Sequence, residues 1–310
     1  MTVSVLVPSF NHAPFVERTL RSIFAQTHPP EKLIVIDDGS KDESAEIIER
    51  VLLDCPFPAE FIRRENRGLS ATLNEGFSKT TGDFFAYLGS DDVWLPEFLE
   101  NRIRHLMKRE DAVVAFGNSY LIDENDGVID NTTDWQLYSE EKVLSNLLRG
   151  LPPVTTSVVF RRSSLNGLCW NEKAALEDYE LYLRLTAKGA FVFDEKVLAG
   201  WRQHSYNTSG DFGKMLNEWL AAQNRAAPAL GIDAAELENI QTKLKFICVT
   251  NFIRQDRKAE AIKLLRENWR GADSAIDVGK TLMRLLIPGS FYEFYKHRRR
   301  RKFTERYGKV

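Results

Sequence analysis

Apolar positions recur in a regular order from the N-terminus. Val3-Ser4-Val5-Leu6-Val7-Pro8 is a short β-rich run ended by proline, after which Val16, Leu20, Ile23 and Phe24 return at helical spacing. Leu33-Ile34-Val35-Ile36 reads as a second strand, followed by a helix carrying Ile47, Ile48, Val51 and Leu52. Phe61-Ile62 lies in a third, weaker strand, Ser70 is placed to cap a helix presenting Leu73 and Phe77, and Phe84 to Leu88 form a fourth strand. A helix from Pro96 to about Arg109 and a strand at Ala112 to Phe116 complete the series. Strands alternating with helices predict an α/β fold, a mostly parallel sheet covered on both faces. In such sheets ligands bind at the carboxyl ends of the strands.

From Gly117 to Gly150 the pattern loosens, with a turn at Asp123-Glu124-Asn125-Asp126-Gly127. Val154 to Phe160 reads as a β-branched strand running into Arg161-Arg162. Tyr179, Leu181, Leu183 and Leu185 belong to a helix stopped by Gly189 in the position of a C-cap. Short strands follow at Phe191-Val192-Phe193 and Val197-Leu198, ending at Trp201-Arg202-Gln203-His204. After Asp211 the pattern is helical throughout, over Met215 to Gln223, Leu237 to Arg254, Ala259 to Trp269 and Ile276 to Leu286. This shift predicts a boundary near residue 210, with an α/β domain over 1–210 and a helical region over 211–310.

Composition narrows the classes. The chain of 310 residues is 43% hydrophobic and 28% charged, ordinary for a soluble globular protein, and its net charge of −2 gives no global attraction to nucleic acid. Cys55, Cys169 and Cys248 stand apart without CxxC spacing, so neither a zinc site nor a disulfide framework is indicated. No apolar stretch approaches the roughly 20 residues that span a bilayer. Met1-Thr2-Val3-Ser4 leads directly into a strand, without the basic and apolar regions of a signal peptide. The expected location is the cytoplasm.

The chemistry-bearing residues follow the strands. Leu88-Gly89-Ser90-Asp91-Asp92 places two adjacent carboxylates at the tip of an apolar run, where uncompensated charge is costly. Either a hard divalent metal is held there through oxygen ligands, or one aspartate caps the helix that starts near Pro96. In Asp37-Asp38-Gly39-Ser40 the aspartates can accept hydrogen bonds from a base or ribose, although Asp-Gly is also an ordinary turn. Asn66-Arg67-Gly68-Leu69-Ser70 precedes a helix whose N-terminus favours an anion such as a diphosphate. Glu177-Asp178 opens a helix and offers a carboxylate as general base, or one merely stabilised by the helix dipole.

Taken together, Pro8-Ser9-Phe10-Asn11, Asp37-Asp38-Gly39-Ser40, Asn66-Arg67-Gly68 through Asn74, Gly89-Ser90-Asp91-Asp92 and Glu177-Asp178 resemble, in order and spacing, the family 2 glycosyltransferases of the GT-A fold. The resemblance covers residues 1–210. It implies transfer of a sugar from a nucleotide diphosphate donor to an acceptor hydroxyl with inversion at the anomeric centre. By the same resemblance Pro8, Ser9 and Asn11 border the nucleotide, Asp38 faces the base or ribose with Asp37 beside it, and Asn66, Arg67, Gly68 and Ser90 lie along the donor. Asp91 takes the second acidic position of a DxD-type motif and contacts donor and metal, with Asp92 beside it as a further metal ligand. Gly89 stands where the first acid would be, which leaves more of the coordination of Mg2+ or Mn2+ to donor phosphates and water. His204 matches a histidine after the last core strand and adds a metal or phosphate contact; a plain hydrogen bond is its other reading. Asp178 is the implied base, with Glu177 as its helper, while Glu180 reads as surface. Thr155-Thr156-Ser157 resembles the acceptor-side strand, although such hydroxyls are also common in strands at large. The processive signature QxxRW is absent, so transfer of one or a few sugars is expected.

The segment Phe291 to Phe303 combines aromatic residues with a dense basic run. It suits an anionic membrane surface, where each cation contributes roughly 1 kcal/mol, and equally a solvated basic helix or a partner-docking face. The membrane reading places the protein peripherally on the inner face of the cell membrane, with a saccharide or lipid-linked saccharide as acceptor, in assembly of a cell-surface polysaccharide or glycolipid. No nucleic acid is expected as partner. Two rivals remain open. A nucleotidyltransferase would carry a glycine-rich loop where Pro8-Ser9-Phe10-Asn11 stands. An inactive GT-A scaffold or sugar-binding module would have no need of Asp91, Asp92 and Asp178.

Overall fold

The computed structural model describes residues 1–133, 140–174, 176–204 and 212–310. The first half alternates as the apolar pattern requires: β1 (Val3–Ser9), α1 (Val16–Phe24), β2 (Lys32–Asp37), α2 (Ser44–Leu52), β3 (Ala59–Arg63), α3 (Leu69–Ser78), β4 (Phe84–Tyr87), β5 (Val93–Trp94) and α4 (Phe98–Lys108). Strands β3, β2, β1 and β4 lie side by side and parallel, with Ser9 in register with Asp37. Alternate residues of these strands serve opposite faces. Leu6, Ile34, Ile36 and Phe85 join one hydrophobic cluster, while Val5, Val7, Leu33, Val35 and Phe84 join the other. Burial on both faces is why these strands read as continuous apolar runs.

The sheet then becomes mixed. It continues through β6 (Ala112–Ile122), β7 (Val128–Asn131), α5 (Val143–Leu148), β8 (Val159–Arg161), α6 (Glu177–Thr186) and β9 (Ala190–Arg202). Strand β8 is antiparallel to both β4 and β6, whereas β6 and β9 run parallel over a long, irregular register. The two short strands expected at 191–198 are thus one strand of 13 residues. Its polar middle is tolerated because the buried Arg102 of α4 pairs with Asp194 at 2.6 Å.

Three local expectations need correction. Residues Thr155–Ser157 form a 3-10 turn, so the β-branched run yields only the three-residue β8. Ser70 lies inside the first turn of α3; the cap position belongs to Gly68, at φ 88°. Gly189 is not a left-handed cap, since α6 ends at Ala187. Its role is close approach, because a Cβ there would sit 2.3 Å from the carbonyl oxygen of Asp111. Gly189→Ala is therefore expected to cost about 1–3 kcal/mol through overpacking. A urea denaturation midpoint equal to that of the wild type would contradict this.

The expected boundary near 210 falls outside the described residues. Beyond it come α7 (Phe212–Leu230), α8 (Ala234–Arg254), α9 (Lys258–Asn268), α10 (Ala275–Leu285) and α11 (Gly289–Tyr307). Phe212, Trp219, Leu244 and Phe252 share a hydrophobic cluster with Phe85, Phe160 and Tyr182, so the helices and the sheet bury one another. The end of α11 returns to the β6–β7 hairpin. There Arg299 pairs with Asp130 at 2.7 Å, the Thr304 hydroxyl donates to the Val128 carbonyl at 2.9 Å, and Phe303 and Tyr307 pack beside Ile122 and Val128. Among the described residues, no helix is long and apolar enough to cross a membrane.

Candidate active site

A cavity of about 1770 Å³ opens at the carboxyl edge of the parallel strands. Of the residues singled out from sequence, Pro8, Ser9, Asn11, Asp38, Asn66, Arg67, Gly68, Ser90, Asp91, Asp92, Glu177, Asp178 and His204 line it. Asp37 stands behind them, fully buried. Its carboxylate accepts from the Ser40 amide at 2.9 Å and the Ser40 hydroxyl at 2.5 Å, which shapes the loop after β2. Gly39 is required there, at φ 80°, because a Cβ would lie 2.7 Å from the Asn66 nitrogen.

Asp38 holds the next loop in place. Its oxygens accept from the Arg67 and Gly68 amides at 2.9 and 2.7 Å and pair with Arg64 at 2.7 Å. Asn11, at φ 54°, ties the loop after β1 to the loop after β2: its amide donates to the Ser40 hydroxyl and its Oδ1 accepts from the Lys41 amide, both at 2.8 Å. The Ser9 hydroxyl, on a residue 2% exposed, has no hydrogen-bond partner among the described residues.

The adjacent aspartates after β4 face different ways. Asp91 meets two imidazoles, with His204 Nε2 3.0 Å from Oδ2 and His12 Nδ1 3.9 Å from Oδ1. One ligand atom from each of the three residues lies within 4.8 Å of the others. The Ser90 hydroxyl sits 2.8 Å from His12 Nδ1, and the His204 ring stacks on Phe15 at 5.2 Å. Asp92 is not in this cluster. One of its oxygens accepts from the Arg202 amide at 2.8 Å and the other from the Thr156 hydroxyl. The buried guanidinium of Arg202 holds the backbone beside the pair. It donates to the Asp91 carbonyl at 2.6 Å and the Asp123 carbonyl at 2.7 Å, and pairs with Asp126 at 2.5 Å.

These surroundings separate the two carboxyls electrostatically. Burial alone would raise Asp91, but the hydrogen bond with His204 and the charges of His12 and His204 bring it below the ordinary carboxylate range. Burial, reinforced by the charge of Asp91, pushes Asp92 well up. Burial lowers His12, and Asp91 opposes this only in part. Sequence reasoning missed His12, although it directly follows Asn11 in a loop already assigned to the site.

The first turn of α6 presents Glu177 and Asp178 to the same cavity. Asp178 Oδ2 accepts from the Thr155 hydroxyl at 2.5 Å. Burial raises both carboxyls, and in Glu177 the neighbouring charge of Asp178 adds to it, carrying that group to about 8. Glu180, expected at the surface, is buried; it pairs with Arg225 of α7 at 2.8 Å and accepts from Asn171 at 3.0 Å. The far wall comes from the helical region, through Met215 and Trp219 of α7 and Asn251 and Arg254 of α8.

The model of the family described as "Glycosyl transferase family 2" matches residues 4–168. An uncharacterized glycosyltransferase of Nostoc sp. is 32% identical over 170 residues, which are 53% of this chain and 52% of the relative. The chain thus spans about half the length of that relative. TarS of S. aureus in complex with UDP-GlcNAc superposes with a TM-score of 0.61 at 17% identity, over 99% of this chain and 89% of that one. A mannosyltransferase from Pyrobaculum calidifontis, in complex with GDP-Man and Mn2+, gives 0.63 at 15% identity over 98% and 84%. These two likenesses show the fold, GT-A.

Proposed function

Because the chain belongs to glycosyltransferase family 2, we propose that it transfers a sugar from a nucleoside diphosphate donor to an acceptor hydroxyl, with inversion and with the help of a divalent cation. The observation that carries this reading is that one cavity holds both the His12–Asp91–His204 cluster and the Asp178 carboxylate.

The donor would lie over the loops after β1, β2 and β3. There the Ser9 hydroxyl is without a protein partner among the described residues, and the N-terminus of α3 favours a diphosphate. His12, Asp91 and His204 fit a divalent cation by spacing and by donor set, two imidazoles and one carboxylate. That mixture favours Mn2+ over the harder, all-oxygen Mg2+. Such an ion would offset the charge that gathers on the departing diphosphate. Asp92 contributes by holding Arg202 and the turn at Thr156. Asp178, in the same cavity, would take the acceptor proton. The acceptor oxygen forms its bond to the anomeric carbon as the bond to the phosphate oxygen breaks. The electron pair leaves with the nucleoside diphosphate, and the proton passes to Asp178. The acceptor saccharide would occupy the end of the cavity walled by Trp219, Asn251 and Arg254.

The test is release of nucleotide from UDP-GlcNAc, UDP-glucose and GDP-mannose with Mn2+, with the anomeric configuration of the freed sugar read by proton NMR. An α-linked donor is expected to give the β-sugar first. Early α-sugar would contradict inversion. Binding without turnover of any donor would favour the inactive scaffold.

A peripheral membrane site is part of this reading, centred on α10 and the start of α11. The end of the basic run is docked on the protein through Arg299 and Phe303. Exposed apolar side chains instead mark α10 and the start of α11, with Ile276 68%, Met283 70%, Leu286 83% and Phe294 63% exposed. Between Ser274 and Phe303 stand eight lysines and arginines against two acids, in a chain whose net charge is −2. That pairing of apolar and cationic groups fits an anionic bilayer, as a lipid-linked acceptor in cell-surface polysaccharide or glycolipid assembly would require. The protein is expected to co-sediment with phosphatidylglycerol vesicles and not with phosphatidylcholine. Met283→Asp with Leu286→Asp should abolish this, whereas unchanged sedimentation of the double variant would contradict the assigned face.

A further inference from the structure

A single 3-10 turn touches both acidic stations of the cavity. Such a turn has three residues per revolution, so consecutive side chains leave it about 120° apart. In Thr155–Ser157 the Thr155 hydroxyl donates to Asp178 Oδ2 at 2.5 Å, while the next hydroxyl, Thr156, donates to Asp92 Oδ2. The Ser157 hydroxyl donates to the Val154 carbonyl at 2.7 Å and tightens the turn on itself.

The turn is also gripped from behind. Trp94 Nε1 donates to the Thr156 carbonyl at 2.8 Å, and Arg102 Nε to the Ser157 carbonyl at 3.1 Å. Asp92 passes the constraint to the neighbouring loop, since its other oxygen accepts from the Arg202 amide and the Arg202 guanidinium donates to the Asp91 carbonyl. Some threonine hydroxyls of this fold are satisfied locally by backbone carbonyls, as Thr72 is by Gly68 and Thr80 by Phe77. Here two in succession reach carboxylates on different elements.

We propose that Thr155 and Thr156 are positioning residues, which together fix the orientation of the Asp178 carboxylate and its separation from the Asp91 loop. This rests on the reading of Asp178 as base and of Asp91 as part of the cation site. An in-line displacement needs the attacking and leaving oxygens on opposite sides of one carbon, so the gap between the stations must be constant. Thr155 anchors Oδ2 and leaves Oδ1 to meet the acceptor proton. Without that hydroxyl the carboxylate turns about its broad terminal torsion. Misplacement of this kind, even by about 1 Å, can cost about 100-fold in rate.

The test uses the full chain, with the UDP- or GDP-sugar that shows nucleotide release. Thr155→Val, which keeps the branched shape, is expected to lower kcat about 10- to 100-fold while donor KM and Tm stay at wild-type values. Thr155→Ser restores the hydroxyl and should recover most of the loss. Thr156→Val acts on the other station, and about a tenfold rise in donor KM in the presence of Mn2+ is expected. Wild-type kcat in Thr155→Val, or Thr155→Ser as slow as Thr155→Val, overturns the proposal. If Asp178→Asn is inactive in the same assay, that failure belongs to the positioning role alone. An Asp178→Asn variant with full activity overturns the base assignment and the positioning role together.

Discussion

Asp178→Asn is expected to lower kcat about 100- to 10,000-fold while leaving nucleotide affinity at its wild-type value. The substitution preserves shape, and the amide oxygen can still accept from Thr155 as the carboxylate does at 2.5 Å. Only the capacity to take a proton is lost. The measurement is nucleotide release alongside calorimetric binding of the same nucleotide; undiminished release would remove Asp178 from the mechanism. The pH dependence carries the same sign. Burial raises both Asp178 and Glu177, so a larger fraction of the base is ionised as pH climbs above the ordinary carboxylate range. Wild-type kcat should rise over that interval. Stability should move the other way. A carboxyl raised in the folded state favours folding below the ordinary carboxylate range, and that contribution is lost as pH rises through the raised value. Glu177→Gln is therefore expected to gain Tm relative to wild type at pH 9 and not at pH 4.

Asp91→Asn is expected to have the second large effect, on affinity in place of rate. Asp91 is the one carboxylate of the cluster with His12 and His204. Its replacement leaves two imidazoles and an amide, and affinity for nucleotide in the presence of Mn2+ should fall by 10-fold or more, on the scale of about 10- to 100-fold seen for groups that merely support metal ligands. Affinity without Mn2+ should hardly change. Asp92→Asn should behave differently. It disturbs the hydrogen bonds from the Arg202 amide and the Thr156 hydroxyl, so it lowers Tm as well as donor affinity, with part of the Mn2+ enhancement retained. Equal loss of Mn2+ enhancement in both variants would contradict the division of labour between the two aspartates.

Local pattern makes the parallel half of the sheet legible, because strands buried on both faces leave unbroken apolar runs such as Leu33 to Ile36. The same alternation is enough to put the loops after β1, β2, β3 and β4 at one edge of the sheet. Side-chain direction is not legible. Asp91 and Asp92 are neighbours in sequence, yet Asp92 turns to partners 110 and 64 residues away. Nothing within a local window encodes such a choice. Glu180 reads as surface for the same reason, its partner Arg225 lying 45 residues on. The run Val154 to Phe160 has strand propensity, but the bonds from Thr155 and Thr156 to distant carboxylates favour a turn. His12 leaves only a faint trace, a lone histidine at the end of a loop recognised through its neighbours.

The most direct test of the His12–Asp91–His204 cluster as the cation station for a nucleoside diphosphate is a calorimetric titration of UDP and GDP, each with and without Mn2+, into the wild type and Asp91→Asn. Mn2+ should tighten at least one nucleotide in the wild type, and the variant should lose that enhancement while keeping the metal-free affinity. Enhancement of equal size in both proteins would contradict the assignment.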